Sequence, residues 1–154
     1  MTDSSARYFR ISEQLPLPSV EAFRPYRAVI VLDGPYSNKW QSEVSRWLVD
    51  SGCLYMMAWG QNCSSWDDSV DCAQIEKFLP DEAPDEEFVM TTWHDDETLE
   101  SVFWFAQFCA HHGDVELKNT LVVHVGLDDR EAEFAALFQQ SKTLADREDE
   151  GQLT

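Results

Sequence analysis

The chain has 154 residues, enough for one domain with a sizeable core. At 44% hydrophobic and 12% aromatic residues it is no disordered polyelectrolyte, and 29 acidic against 11 basic residues give a formal charge of −18. Phosphate-rich surfaces repel such a chain, so nucleic acid and anionic membrane are not expected as direct partners, whereas a basic protein, a cationic ligand or a metal ion fits the sign.

The N-terminal stretch Met1 to Arg7 lacks a charged region followed by an apolar core, so no secretory signal is read. No apolar run approaches about 18 residues, so no spanning helix is expected. The four cysteines, Cys53, Cys63, Cys72 and Cys109, form no C-x-x-C pair. Reduced thiols and a cytoplasmic location follow as expectations, with Cys53 and Cys109 in apolar patterns that read as core.

In chain order, residues 1–27 read as an extended lead-in punctuated by Pro16, Pro18 and Pro25, with a possible edge strand at Tyr8–Ile11. Ala28-Val-Ile-Val-Leu32 is a continuous apolar run ending at Asp33-Gly34-Pro35, the pattern of a strand buried on both faces. A helix is predicted over about 38–51, since Trp40, Val44, Trp47 and Leu48 make one stripe. Asn38 with Gln41 resembles a capping box, and Gly52 is placed as the left-handed stop. Cys53 to Trp59 is a second buried strand.

The stretch 61–87 is less regular. A short helix capped by Asp67 or Asp68 carries Val70, Ala73 and Phe78, and an acidic loop follows from Asp81 to Glu87. Phe88 to Trp93 is a third strand, and a third helix capped by Asp95 or Asp96 runs to about His111. Leu121 to Val125 is a fourth strand, and Asp128 or Asp129 opens a last helix with Phe134, Leu137 and Phe138 on its stripe. Residues 28–145 thus read as one α/β domain, and 146–154 as a polar tail. Alternating strands and helices predict a three-layer open sheet of four mainly parallel strands, order 2-1-3-4, with helices on both faces, Rossmann- or flavodoxin-like.

The charge is uneven. Residues 1–60 hold six acids and six bases, residues 61–117 fifteen acids and one base (Lys77), and residues 118–154 eight acids and four bases. Solubility alone does not require such clustering, although the paired aspartates at predicted helix starts have a local reason in the helix dipole.

Open parallel sheets bind ligands beyond the carboxyl ends of their strands, at the switch in strand order. In the expected order that crevice gathers Asp33, His94 and Asp95, two carboxylates and an imidazole able to hold a divalent cation for metal-assisted hydrolysis. The plainer reading is that Asp33 starts a turn and Asp95 and Asp96 cap a helix. No spaced metal-ligand motif supports the cation. Cys63, Ser64 and Ser65 lie in a loop without a nucleophile elbow, and neighbouring carboxylates discourage a thiolate. No G-x-G-x-x-G and no G-x-x-x-x-G-K is present, so no nucleotide and no other cofactor is expected.

Six tryptophans divide the same way. Trp40 and Trp47 fall on the first helix stripe, and Trp104 lies beside the third. Trp59, Trp66 and Trp93 stand at strand ends or in loops beside carboxylates. Indoles among acids suit an interface with a basic partner, formed by Trp59, Trp66, Asp67, Asp68, Asp85, Glu86, Trp93 and Asp96. The competing reading folds these rings over the ends of the sheet. The His111-His112 pair falls at a helix C-terminus, where positive charge is favoured.

The stretches Ser51 to Gly60, Cys63 to Val70 and Phe88 to His94 resemble a small bacterial family of acidic proteins that is a domain of unknown function. The resemblance spans roughly residues 26–126 and implies a bacterial cytosolic protein with no activity or catalytic residues attached. The leading expectation is therefore a non-catalytic, inhibitor- or immunity-like protein that engages a basic protein. A metal-assisted hydrolase at the sheet rim, or a subunit of a homo-oligomer or complex, stand as alternatives.

Overall fold

The computed structural model describes residues 6–152; residues 1–5 of the expected lead-in and 153–154 of the expected tail lie outside the described residues. The strands are β1 (Arg7–Ile11), β2 (Tyr26–Leu32), β3 (Cys53–Gly60), β4 (Met90–Trp93) and β5 (Asn119–Val125). The helices are α1 (Asn38–Ser51), α2 (Ser65–Phe78), α3 (Leu99–Phe108), α4 (Glu131–Ser141) and α5 (Leu144–Gln152). All five strands are parallel, in the order β1-β5-β2-β3-β4.

This order corrects the expected one. The four expected strands are β2 to β5, and the order 2-1-3-4 would have set β4 beside β2. Instead β2 lies between β3 and β5, and β4 is at an edge. The reason lies in the strands themselves. Leu121 to Val125 is buried throughout, as an interior strand must be, whereas Met-Thr-Thr-Trp of β4 is half exposed. Tyr8–Ile11 does form an edge strand, paired to β5.

Two cores cover the two faces. On one, α1 and α2 pack Trp40, Val44, Leu48, Trp66 and Val70 over Ile30, Met56 and Val123. On the other, α3 and α4 pack Val102, Phe103, Phe134 and Phe138 over Val29, Met57 and Val122. The chain moves outward from β2 to β4 under α1 and α2, then returns to β5 under α3. Reversing direction while keeping one crossover hand places α3 on the opposite face.

Local chemistry sets the helix ends. Ser37, not Asn38, caps α1, its Oγ accepting from the Trp40 amide at 3.2 Å. Gly52 ends that helix at φ +99°, where a Cβ would lie 2.4 Å from Arg24 Cβ. Asp67 and Asp68 stand in the first turn of α2 rather than at its cap, and Thr98, not Asp95 or Asp96, caps α3. Asp129 accepts from the Glu131 amide at 2.8 Å at the start of α4. Most of the expected polar tail is α5, held to α3 by Arg147 and Glu100 at 2.5 Å. Cys53 and Cys63 are buried, whereas Cys109, expected in the core, is exposed at the end of α3; all four thiols are free. No helix among the described residues is long and apolar enough to cross a membrane.

Candidate functional site

The switch in strand direction falls between β5 and β2, so the crevice predicted for ligands lies where Asp33 and Gly34 leave β2 and Gly126 leaves β5. A side-chain network fills it. His124 is fully buried within β5, with its Nε2 2.9 Å from Asp33 Oδ2 and its Nδ1 2.6 Å from the Tyr8 hydroxyl. The Arg130 amide donates to that hydroxyl at 3.1 Å, and Nε2, facing an acceptor-only carboxylate, donates its hydrogen to Asp33. Arg130 closes the outer side with one guanidinium nitrogen on Asp33 (2.9 Å) and two on Glu133 (2.7 and 2.6 Å).

The ionisation states follow. Burial pushes the Asp33 carboxyl up, but hydrogen bonds from His124 and Arg130 outweigh it and hold it below its ordinary value. Arg130 is raised, first by Glu133 and then by Asp33. Burial raises the Tyr8 hydroxyl. Backbone completes the closure, because a Cβ on Gly126 would lie 2.6 Å from His124 Nε2 and one on Gly34 would lie 3.1 Å from Gly126 Cα. Both imidazole nitrogens are engaged and the ring is shielded. The network therefore binds β1, β2, β5 and the start of α4 together.

The proposed hydrolytic trio is not assembled. Asp33 meets His124 and Arg130, while His94 is buried two strands away, bonded to Glu97 at 2.8 Å and Thr92 at 2.9 Å. Asp95 and Asp96 are exposed in the turn before α3. Among the described residues no group of three or more His, Cys, Asp or Glu side chains is arranged to hold a metal ion. The sequence reading set His124 at the rim of its fourth strand but did not bring it to Asp33, and it missed Tyr8 and Arg130. Its one available signal was a histidine inside an otherwise apolar strand, which demands a buried polar partner.

The tryptophans separate. Trp66 is completely buried, its Nε1 donating to the Tyr36 hydroxyl at 3.2 Å. Trp59 is half buried, with its Nε1 on the Glu97 carbonyl at 2.7 Å. Trp93 is 46% exposed at the end of edge strand β4. Its partner in register is Ala58, so it lies on the α1–α2 face, whereas Met90 and Thr92 lie on the α3 face. Met90 and the preceding Phe88 are exposed as well, and Ile75 and Leu79 project from α2. No strand covers the outer side of β4 among the described residues.

Acids surround this edge. Asp67 accepts a hydrogen bond from the Thr91 hydroxyl and so ties α2 to β4. Asp68, Asp85, Glu86 and Asp96 are exposed. Burial, followed by the charge of Asp67 and then that of Asp68, pushes the Asp71 carboxyl up, the mark of crowded like charge. Gln74 is a further missed residue. Its buried amide pairs with both backbone groups of Val89, at 3.0 and 3.2 Å, in place of a neighbouring strand. The His111 and His112 Nε2 atoms donate to the carbonyls of Phe108 (3.2 Å) and Phe88 (2.8 Å).

Fold and site together define an α/β protein with a five-stranded all-parallel open sheet, a filled switch-point crevice and an exposed acidic, apolar edge. The chain belongs to the family described as domain of unknown function DUF7684, whose model matches residues 6–141. That span takes in β1 and α4, beyond the limits of the resemblance seen in the sequence. No curated protein and no solved structure matches the chain.

Proposed function

We propose that the protein is a non-catalytic binding protein that engages a basic protein partner through the β4 edge, in the manner of an inhibitor or immunity-like protein. The observation that carries this reading is the half-exposed Trp93 on edge strand β4, whose outer side no strand covers among the described residues, within a segment holding fifteen acids and one base. A large indole near desolvated neighbours supplies affinity, and the surrounding carboxylates supply fast, oriented encounter with positive charge. The crowding of Asp67, Asp68 and Asp71 costs stability in the free protein, and a cationic surface relieves it. A second copy of the chain would bring like charge against like charge at this edge, so a basic protein is the favoured occupant. The surface is Trp93, Met90 and Phe88 with Asp68, Asp85, Glu86 and Asp96. Trp66 is core, Trp59 braces the loop before α3, and Asp67 holds β4.

The test is capture of partners by the immobilised protein, followed by affinity measurement with the purified partner. The combined Asp68→Lys, Asp85→Lys and Glu86→Lys variant is expected to weaken binding about tenfold or more, given roughly 0.2–1 kcal/mol for each exposed charge pair and a larger penalty on reversal. A control reversing exposed Glu43 and Glu131, away from β4, should bind normally. A partner of net negative charge, or binding untouched by the first variant and reduced by the control, would overturn the proposal.

A further inference from the structure

A cavity of about 760 Å³ lies at the opposite end of the sheet, by the amino ends of β2 and β5. Its walls come from the last turns of α3 and α4 and from residues 111–118 between α3 and β5. The chain has only 11 lysines and arginines, yet Arg27, Lys118 and Lys142 all line this space, together with His111 and His112. Asp114 and Glu116 are its acids, and Phe108 and Phe138 supply apolar wall.

Arg27 is the unusual member. Its guanidinium donates from Nε to the Ala110 carbonyl (3.2 Å), from one terminal nitrogen to Thr120 Oγ1 (3.2 Å), and from the other to the Leu117 carbonyl (3.1 Å). All three acceptors are neutral. No ion pair joins Arg27 to a carboxylate among the described residues, in a chain where acids outnumber bases by more than two to one. Burial pushes its guanidinium below the ordinary value, as expected for a cation held without a counter-charge. A guanidinium has five N–H donors, so two remain, one on each terminal nitrogen, the pair that grips an oxyanion. A partly buried charge without a partner is costly, and an anion in the cavity supplies that partner.

We propose that this cavity binds a small organic anion, its carboxylate or phosphate on Arg27 and its apolar body against Phe108 and Phe138. Lys118 and Lys142 line the same space and add attraction in an otherwise repelling protein. This site touches the β4 edge only through His112, which lines the cavity and bonds the Phe88 carbonyl, and it asks for a ligand of opposite charge to that partner.

The experiment titrates the isotope-labelled full chain with benzoate, phenyl phosphate and the uncharged benzyl alcohol, following the Arg27 Nε–H and the amides of residues 108–118 by NMR. Saturable shifts of the Arg27 Nε–H with at least one of the two anions, at about millimolar concentration or below, are expected, with none for benzyl alcohol. The stronger anion identifies which oxyanion the site prefers. Because Arg27 also holds the 110–117 backbone, its loss can unfold the protein. The Lys118→Glu variant therefore serves as the second arm. It should keep the wild-type melting temperature and lose affinity about threefold or more. Absence of saturable Arg27 shifts below about 10 mM for both anions overturns the proposal, as does equal binding of benzyl alcohol or wild-type affinity in the Lys118→Glu variant.

Discussion

His124 shows how a buried polar residue organises its surroundings. It sits in an apolar central strand with both ring nitrogens satisfied, by Tyr8 from β1 and by Asp33 from the end of β2. Replacing Gly126 by alanine would drive a methyl group into that ring, and we expect a loss of about 1–3 kcal/mol in chemical denaturation. The sign of the pH dependence follows from Asp33. Its carboxyl titrates lower in the folded protein than its ordinary 3.8, so its contribution is present above that value and fades as pH falls through the folded one. Denaturation midpoints measured across the acid range should therefore fall less steeply for Asp33→Asn than for the native chain. An identical slope would mean that Asp33 does not hold its charge through His124 and Arg130. The two tryptophans read alike in the sequence make a sharper contrast. Trp66→Ala should cost about 3–5 kcal/mol because the ring is wholly enclosed, whereas Trp93→Ala should stay within about 0.5–1 kcal/mol.

At the scale of elements, strands and helices were legible because each carries its own period. The run Ala28 to Leu32 and the stripe Trp40, Val44, Leu48 could hardly be anything else. Caps were less legible. Ser37 precedes Asn38, and Thr98 follows Asp95 and Asp96, so several adjacent residues could cap and only backbone geometry chooses among them. Ser37→Ala should lower stability by about 1 kcal/mol, with Asn38→Ala nearly neutral, as read by thermal melts. Strand order was lost for a different reason: it is a relation among distant segments. A usable clue was nevertheless present. The two threonines of β4 mark a strand that need not be buried, whereas Leu-Val-Val-His-Val of β5 does. Reading that difference would have moved β5 beside β2 and brought His124, rather than His94, to Asp33. The acidity around β4 was legible as charge, but the depth of its rings was not, since Trp66 and Trp93 share the same acidic neighbourhood in sequence, and only the fold buries one and exposes the other.

Across the whole molecule, the two ends of the sheet differ in character. The carboxyl ends at the switch point are occupied by the Asp33–Arg130 pair over His124, with two glycine backbones packed close beneath. The far edge carries the acids and the open indole, and the amino ends hold the cavity around Arg27. The net charge of −18 is thus a sum over a balanced stretch 1–60, a strongly negative middle and a mildly negative stretch 118–154, and that polarity supports the proposed binding at the β4 edge. Hydrogen exchange of the captured complex measures this most directly. The account predicts that the partner slows exchange in Met90–Trp93 and along the first turns of α2, with the effect fading as salt rises. Protection centred instead on the ends of β2 and β5, around Asp33 and Gly126, or a complex indifferent to salt, would contradict it.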